Sequence, residues 1–417
     1  MSNDELIITP LEQNSDREIA AEFHSLDEDI QIFLQSPDIS LVNHPEVWLC
    51  FSLPPAIRKG TVLNIQAPIS QRFFEAMPMV QDIYTSWFPT WKRVEIRGVR
   101  PILRAPASEG RVGCFFSGGV DSWYTFLKHR EQITDLIFVH GFDIQLDETF
   151  LYQRSHDMVK QVAIHFNKRM IEVKTNLRAF TNRHIEWSNV LGSALASVGL
   201  ALSDHFRKIY IASAHTYVDM IPSGTHPLLD SLWSTEGLDF VHDGCEATRM
   251  AKVQLLSGYD IALQTLRVCW KNPDGVYNCG KCEKCLRTMI ELQAAGVLER
   301  CPTFDIPLDL RRVARMPIRD ENARHFAEEN LHALEVQPKH RELVSALRHA
   351  LARSRWETPL KKALAQRKRQ GRENHPRLYN MAKHLYFMLK SRTKPPPSYW
   401  HGRDHRPQGN SGNNDSE

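Results

Sequence analysis

Residues 111–122, with the sequence RVGCFFSGGVDS, decide the fold of the surrounding chain. They begin as an apolar run typical of a buried strand, pass through two consecutive glycines and lead into a helical pattern over 123–129. A strand, a glycine loop and a helix in this order suit a phosphate, because the backbone N–H groups can approach the anion closely. We therefore expect a phosphate-binding loop made of Ser117, Gly118, Gly119, Val120, Asp121 and Ser122.

The polar side chains of this loop predict separate roles. The hydroxyls of Ser117 and Ser122 can donate hydrogen bonds to phosphate oxygens. Asp121 carries the same charge sign as a phosphate, so we expect it to hold Mg²⁺ or to cap the helix. The spacing differs from that of a Walker loop, which needs a lysine after its last glycine. An ordinary glycine-rich turn with a Ser or Asp cap is the alternative.

Short apolar segments alternate with helical segments after this loop. We predict strands over 111–116, 136–140, 169–173 and 208–212, and helices over 123–129, 150–166 and 190–206. This alternation indicates an α/β fold with a Rossmann-like parallel sheet and helices on both faces. Ligands bind at the carboxyl ends of such strands, so His215 is a candidate general acid, general base or phosphate donor. A histidine satisfied by the backbone is the alternative.

Four of the eight cysteines form a metal-binding pattern. Cys279, Cys282 and Cys285 make a C-x₂-C-x₂-C run, and Cys269 precedes it across a turn-rich stretch. Four thiolates at this spacing predict a tetrahedral Zn²⁺ site, with an iron–sulfur cluster and four unrelated cysteines as alternatives. Cys50, Cys114 and Cys301 are expected to be small buried hydrophobic residues, whereas Cys245 lies among polar residues.

The hexapeptide at 117–122 resembles the S-G-G-x-D-S signature of the PP-loop ATP pyrophosphatases. Together with the cysteine run, it makes residues 109–295 similar to 7-cyano-7-deazaguanine synthase. The resemblance implies ATP and Mg²⁺ at the loop, Zn²⁺ at the four cysteines and an acidic turn at Asp143 in the nucleotide site. It also implies that ATP adenylates a carboxylate, and that ammonia or an amine then displaces AMP.

The resemblance weakens where the family contacts its deazaguanine. The family's Pro-Gly-Arg-Asn segment corresponds to 190–193 here, and only Gly192 is kept. Its Ser-Gly-Tyr-Pro-Asp-Cys-Arg stretch corresponds loosely to 223–230, where Ser223, Gly224 and Asp230 match. A 7-deazapurine is therefore one candidate among carboxylate-bearing small molecules.

A polar segment at 242–252 supplies candidate cations. Arg249 and Lys252 are three residues apart, which places them on one face of a predicted helix. The phosphate loop contains no lysine, so we expect these two side chains to neutralise the pyrophosphate as it leaves. Two solvent-exposed residues at a helix start are the alternative.

The chain outside the resemblance divides into further regions. Residues 1–108 predict an α+β unit of unknown role, with strands over 47–52, 61–66 and 92–99 and a helix over 71–87. Residues 109–300 form the PP-loop domain with its zinc site. Residues 301–394 predict a helical, basic region with helices over 321–334 and 341–352, and residues 395–417 predict a disordered tail. The basic region would suit RNA, DNA or an acidic protein, with a solvated helical face as the alternative.

Composition excludes several classes. The formal net charge is +3 and 42% of residues are hydrophobic, as in globular proteins. No apolar run suits a membrane span, and the polar N-terminus lacks a secretory signal pattern, so we expect a cytoplasmic protein. The leading hypothesis is an ATP-dependent carbon–nitrogen ligase, with a homodimer as a candidate assembly. The alternatives are a PP-loop enzyme that modifies tRNA or a protein, and a non-catalytic nucleotide-binding subunit of a larger assembly, such as a defence complex.

Overall fold

The computed structural model describes residues 5–25, 29–104 and 110–354. Its strands are β1 (Glu5–Pro10), β2 (Glu18–His24), β3 (Asp29–Gln35), β4 (Val62–Ser70), β5 (Ile96–Ile102), β6 (Arg111–Phe115), β7 (Asp135–His140), β8 (Arg169–Thr175), β9 (Phe206–Ala212) and β10 (Asp239–Asp243). Its helices are α1 (Pro45–Lys59), α2 (Gln71–Trp87), α3 (Val120–His129), α4 (Thr149–His165), α5 (Leu177–His184), α6 (Leu191–Ala201), α7 (Pro227–Asp230), α8 (Arg249–Leu256), α9 (Asp260–Thr265), α10 (Glu283–Ala294), α11 (Leu310–Ala314) and α12 (Glu321–Glu335). Residues 341–354 are also helical.

All ten strands form one sheet in the order β10-β9-β6-β7-β8-β3-β2-β1-β4-β5. The five strands from β10 to β8 run parallel, which confirms the Rossmann-like α/β class. Strand β6 pairs with β7 on one side and with β9 on the other. The chain therefore adds β7 and β8 on one side of β6, and then adds β9 and β10 on its other side. Such a switch point opens a crevice at the carboxyl end of the strand, which here is the loop that contains Ser117.

The four strands predicted after residue 110 are confirmed as β6, β7, β8 and β9, and two of the three helices as α3 and α4. The helix predicted over 190–206 is α6, which ends at Ala201. It is shorter than expected because Phe206 already belongs to β9, where its ring is buried in the sheet core. Residues 202–205 form the turn between the end of this helix and the start of the strand.

The strand predicted over 47–52 is wrong, because these residues belong to helix α1. Every side chain from 47 to 52 is buried, so the run shows neither helical nor strand periodicity. Helix α1 packs against α6, where Ser197 Oγ donates to the carbonyl of Val47 at 2.7 Å and Cys50 Sγ donates to that of Ser193 at 3.1 Å. Tertiary packing therefore selects the helix despite the two internal prolines.

The other predicted elements of the first region are present as strands β4 and β5 and as helix α2, which continues through Pro78. Strands β1–β5 extend the same sheet, since β3 pairs with β8. An aromatic cluster joins the two parts of the core: the ring of Phe23 lies 5.4 Å from that of Phe51 and 5.2 Å from that of Phe180. One hydrophobic core therefore serves both regions.

The two helices predicted between 301 and 394 are confirmed as α12 and the segment 341–354. They form a smaller core with α10 through residues such as Ile290, Leu334 and Leu347. The basic residues after position 360 and the tail at 395–417 lie outside the described residues. Within the described ranges, no helix has both the length and the apolar character that a membrane crossing requires.

Replacing Phe23 by alanine should destabilise the whole described fold, because its ring is fully buried between α1 and α5. We expect a loss of about 3–5 kcal/mol in the free energy of unfolding, measured by urea denaturation. The matched control is Phe150→Ala, because the side chain of Phe150 is 70% exposed. A loss below about 1 kcal/mol for Phe23→Ala would contradict the shared core.

Candidate active site and metal centre

The glycine loop between β6 and α3 folds as a compact turn. Gly118 adopts a left-handed conformation with φ of 76°, which favours glycine because it lacks a Cβ. Gly119 N–H donates to Ser117 Oγ at 3.3 Å, and Ser122 Oγ donates to the carbonyl of Gly119 at 3.0 Å. The loop is therefore held in one shape by its own residues, at the carboxyl end of β6.

Asp121 points from the first turn of α3 towards two cations on α8. Its Oδ2 accepts from Arg249 Nη1 at 3.1 Å and its Oδ1 accepts from Lys252 Nζ at 3.2 Å. Burial alone would raise the pKa of Asp121, but Lys252 and Arg249 together hold this pKa below its usual range. The expectation that Asp121 caps the helix is wrong, because Gly119 is the N-cap residue of α3 and both carboxylate oxygens of Asp121 contact cations. The Mg²⁺ expectation stays a prediction.

Arg249 and Lys252 share one face of α8, as expected, but they are not solvent-exposed. Their exposed fractions are 6% and 1%. Arg249 Nε also donates to Glu291 on α10 at 3.0 Å, and Lys252 Nζ donates to the carbonyl of Ser213 at 2.6 Å. Both positive charges are therefore compensated within the protein.

Two cavities meet at the glycine loop. The polar cavity, of about 340 Å³, lies between this loop and α10 and α12, and its wall includes Arg249, Lys284, Arg287 and Phe326. The apolar cavity, of about 330 Å³, follows the ends of β6 and β7, with Phe115, Ile137, Phe142 and Leu195 in its wall. Both cavities share Ser117, Asp121, Ser122, Asp143, Ala214 and Arg267, whereas Lys252 lines neither. Two ligands could therefore meet at one group of side chains.

Arg267 is a site residue that the sequence analysis missed. It lines both cavities with an exposed fraction of 5%. Its backbone N–H donates to the carbonyl of Gly118 at 2.9 Å, which fixes it against the phosphate loop. The one available signal was its position two residues before Cys269. Arg267 therefore belongs to the same short segment as one of the four clustered cysteines.

Helix α12 is the second unexpected part of the site, because no catalytic, cofactor-binding or metal-binding residue was predicted after position 300. Phe326 lines the polar cavity, and the guanidinium of Arg287 lies 4.1 Å from the centre of its ring. The same ring lies 6.0 Å from that of His215. The helical region after the cysteines therefore supplies one wall of the cavity.

His215, which follows β9, and Asp143, which follows β7, both line the apolar cavity. Burial lowers the pKa of His215, so its ring is neutral at pH 7. Its Nδ1 lies 3.9 Å from Asp219 Oδ2 and makes no hydrogen bond within the described residues. The alternative, a ring whose hydrogen bonds are satisfied by the backbone, is therefore not found for Nδ1 of His215. Asp143 makes no ion pair with any described residue.

The four predicted cysteines come together in one buried group. Their sulfur atoms all lie within 4.8 Å of one another, with Cys269 3.9 Å from Cys282 and Cys279 3.8 Å from Cys285. Zinc bound at about 2.3 Å to each of four sulfurs in a tetrahedron separates them by about 3.8 Å. The group can therefore hold one metal ion such as Zn²⁺. A four-iron cluster fits less well, because each thiolate would bind a different iron and lie farther from the others.

Hydrogen bonds connect the cysteine group to the phosphate loop. Asn278 Oδ1 accepts from the N–H groups of Val268 and Cys269 at 2.9 and 3.1 Å, and its Nδ2 donates to the carbonyl of Leu266 at 2.8 Å. Arg267 lies within this bonded segment. A metal at the cysteines would therefore stabilise the position of Arg267.

Comparisons with protein-family models, with curated proteins and with solved structures find no match for this chain. The fold and the site define its class: an α/β protein with a glycine loop at the switch point of its sheet and, beside it, a buried group of four cysteines that can hold a metal ion. Its function is therefore inferred from the residues of the site and their geometry.

Replacing Cys285 by serine should remove the bound metal, since three thiolates and a hydroxyl hold zinc much less tightly than four thiolates. We expect about one zinc per wild-type chain and less than a tenth of that in the variant, measured by elemental analysis after gel filtration. Cys301→Ser is the matched control, because this buried cysteine lies outside the group. Full zinc occupancy in Cys285→Ser would show that the metal centre is misassigned.

Proposed function

We propose that this protein is an ATP-dependent ligase of the PP-loop type, which adenylates a carboxylate for attack by ammonia or an amine. One observation carries the proposal: the Ser117–Asp121–Ser122 loop lies at the switch point of the sheet and in the walls of two cavities at once. Such a position lets a nucleotide in one cavity react with an acceptor in the other.

The apolar cavity suits the adenosine part of ATP. Its aliphatic and aromatic wall would bury a purine, as at the carboxyl ends of other parallel sheets. The triphosphate would then lie over the glycine loop, where the N-terminus of α3 and the hydroxyls of Ser117 and Ser122 favour negative charge. This arrangement leaves the polar cavity for the acceptor.

The wall of the polar cavity carries both carboxylates and cations. Arg287 pairs with Glu283 at 3.6 Å, whereas Lys284 forms no ion pair with a described residue, so Lys284 could bind a carboxylate acceptor. A carboxylate oxygen would attack the α-phosphorus of ATP, the bond to pyrophosphate would break, and an acyl-adenylate would form. An amine would then attack the acyl carbon and release AMP. His215 is neutral at pH 7 and lines the adjoining cavity, so it could accept the proton of the amine.

The carboxylates of the site fit Mg²⁺ unequally. Both oxygens of Asp121 already contact cations, whereas Asp143 has no such partner among the described residues. Asp143 is therefore the better protein ligand for Mg²⁺, which would offset the phosphate charge when bound. Asp121 would instead hold Arg249 and Lys252 beneath the loop. Lys252, which lines neither cavity, would favour the leaving pyrophosphate through its field, whereas Arg249 lines the polar cavity and could contact it.

A protein acceptor is the second candidate, and one observation favours it. The segment between His215 and Ser223, which both line the apolar cavity, carries Tyr217 and Val218 with exposed fractions of 69% and 97%. Neighbouring apolar side chains at a cavity rim suit a polypeptide better than RNA, whose phosphates require cations. The basic segment after residue 360, which motivates an RNA acceptor, lies outside the described residues.

The ligase proposal predicts that the purified protein converts ATP to AMP and pyrophosphate when Mg²⁺, ammonium and a suitable carboxylate are present. The carboxylate tried first is 7-carboxy-7-deazaguanine, with products resolved by mass. Asp121→Asn should lower AMP formation by about 100-fold or more, because Arg249 and Lys252 lose their counter-charge. The matched control is Asp157→Asn, an exposed residue of α4.

AMP that forms without a changed deazapurine would keep the adenylation chemistry and redirect the search to other acceptors. If no condition yields AMP while ATP still binds, the ligase proposal is wrong and a nucleotide-binding subunit takes its place.

The protein-acceptor candidate predicts that AMP formation requires a protein fraction rather than a small carboxylate. The double variant Tyr217→Ser, Val218→Ser should then lower this activity by about tenfold while ATP affinity stays unchanged, because the rim contacts would be lost. The measurement is AMP release with protease-treated and untreated fractions. Activity that resists protease treatment would rule this acceptor out.

A further inference from the structure

Arg267 is a buried cation that forms no ion pair with any described residue. Its guanidinium makes one long hydrogen bond, from Nη2 to Asn272 Oδ1 at 3.4 Å. Its Nε finds no acceptor within the described residues, and no carboxylate there forms an ion pair with it. A charged group buried without partners costs free energy, so its position requires a compensating contact.

The other deeply buried cations of the site are already compensated. Arg249, Lys252 and Arg287 each form an ion pair with a carboxylate. Arg267 differs from all three because it has no carboxylate partner among the described residues, and it lines both the polar and the apolar cavity. It therefore lies where the two cavities join, within reach of a ligand.

We propose that Arg267 binds an oxyanion of the reacting nucleotide at this junction. The proposal rests on the proposed function and adds a catalytic residue that no motif of the sequence indicated. The oxyanion is either a non-bridging oxygen of the α-phosphate or an oxygen of the leaving pyrophosphate. A guanidinium suits both, because its planar array of N–H donors can bind two oxygens at once.

The surroundings of Arg267 hold it in a fixed position. Its backbone N–H donates to the carbonyl of Gly118 in the phosphate loop. On the other side, Asn278 binds the N–H groups of Val268 and Cys269, next to the metal centre. The backbone that carries Arg267 is therefore fixed before a ligand arrives, which limits where its guanidinium can lie and favours stabilisation of developing charge.

The experiment measures binding of adenosine, AMP and Mg²⁺-pyrophosphate to the full chain by calorimetry. The variants are Arg267→Gln, which removes the charge, and Arg267→Lys, which keeps it. Arg348→Gln is the matched control, since this arginine is exposed and pairs with Glu335 at the surface. Adenosine carries no phosphate, so its affinity reports whether the site of each variant is intact.

We expect Arg267→Gln to weaken one phosphate-bearing ligand by about 10- to 100-fold, the effect of one lost charge-assisted hydrogen bond, with adenosine affinity unchanged. Arg267→Lys should recover part of the loss. A specific loss for AMP would assign the contact to the α-phosphate, and a specific loss for pyrophosphate would assign it to the leaving group.

Unchanged affinity for both AMP and pyrophosphate in Arg267→Gln would overturn the proposal, and so would an equal loss for adenosine, which would show a structural role. If the proposed function is wrong but the contact of Arg267 is right, the wild-type protein would bind pyrophosphate through Arg267 but would bind neither adenosine nor AMP. A wild-type protein that binds none of the three ligands would refute both.

Discussion

Two buried cations converge on one carboxylate, and the rest of the site depends on that contact. Arg249 and Lys252 on α8 bind the two oxygens of Asp121 on α3, and Arg249 also binds Glu291 on α10. Buried charges are costly unless paired, so loss of any one member leaves others uncompensated, at about 3–5 kcal/mol. This network fixes α3, α8 and α10 around the glycine loop, beneath the place where an anion would bind.

The two cavities follow from how the sheet and the later helices are arranged. The sheet supplies the glycine loop and the apolar cavity, because β6 is the strand from which the connections diverge. The cysteine group fixes the segment that contains Arg267, and the core shared by α10 and α12 brings Phe326 to the polar cavity. A region that carries no chemical motif thus shapes the place where an acceptor would bind.

The sequence predicted the elements around the phosphate loop well, because their signals are local. Apolar runs bounded by helical periods marked β6 to β9, and cysteine spacing marked the metal centre. Prediction failed at residues 47–52, where an element buried on every side has no periodicity and the choice of helix follows from packing against α6. It also failed for the helix-cap role of Asp121, because nothing local shows that α8 presents two cations to it.

By itself, the sequence determined the α/β class, the position of the glycine loop and the four cysteines that can hold a metal ion, since each depends on residues close together in the chain. Only the tertiary structure decided that the first hundred residues extend the same sheet, that Arg249 and Lys252 are buried and neutralised, and that Arg267 and Phe326 face the cavities. These facts depend on contacts between distant segments. Burial and charge compensation are set by what surrounds a side chain in space, which no local pattern records.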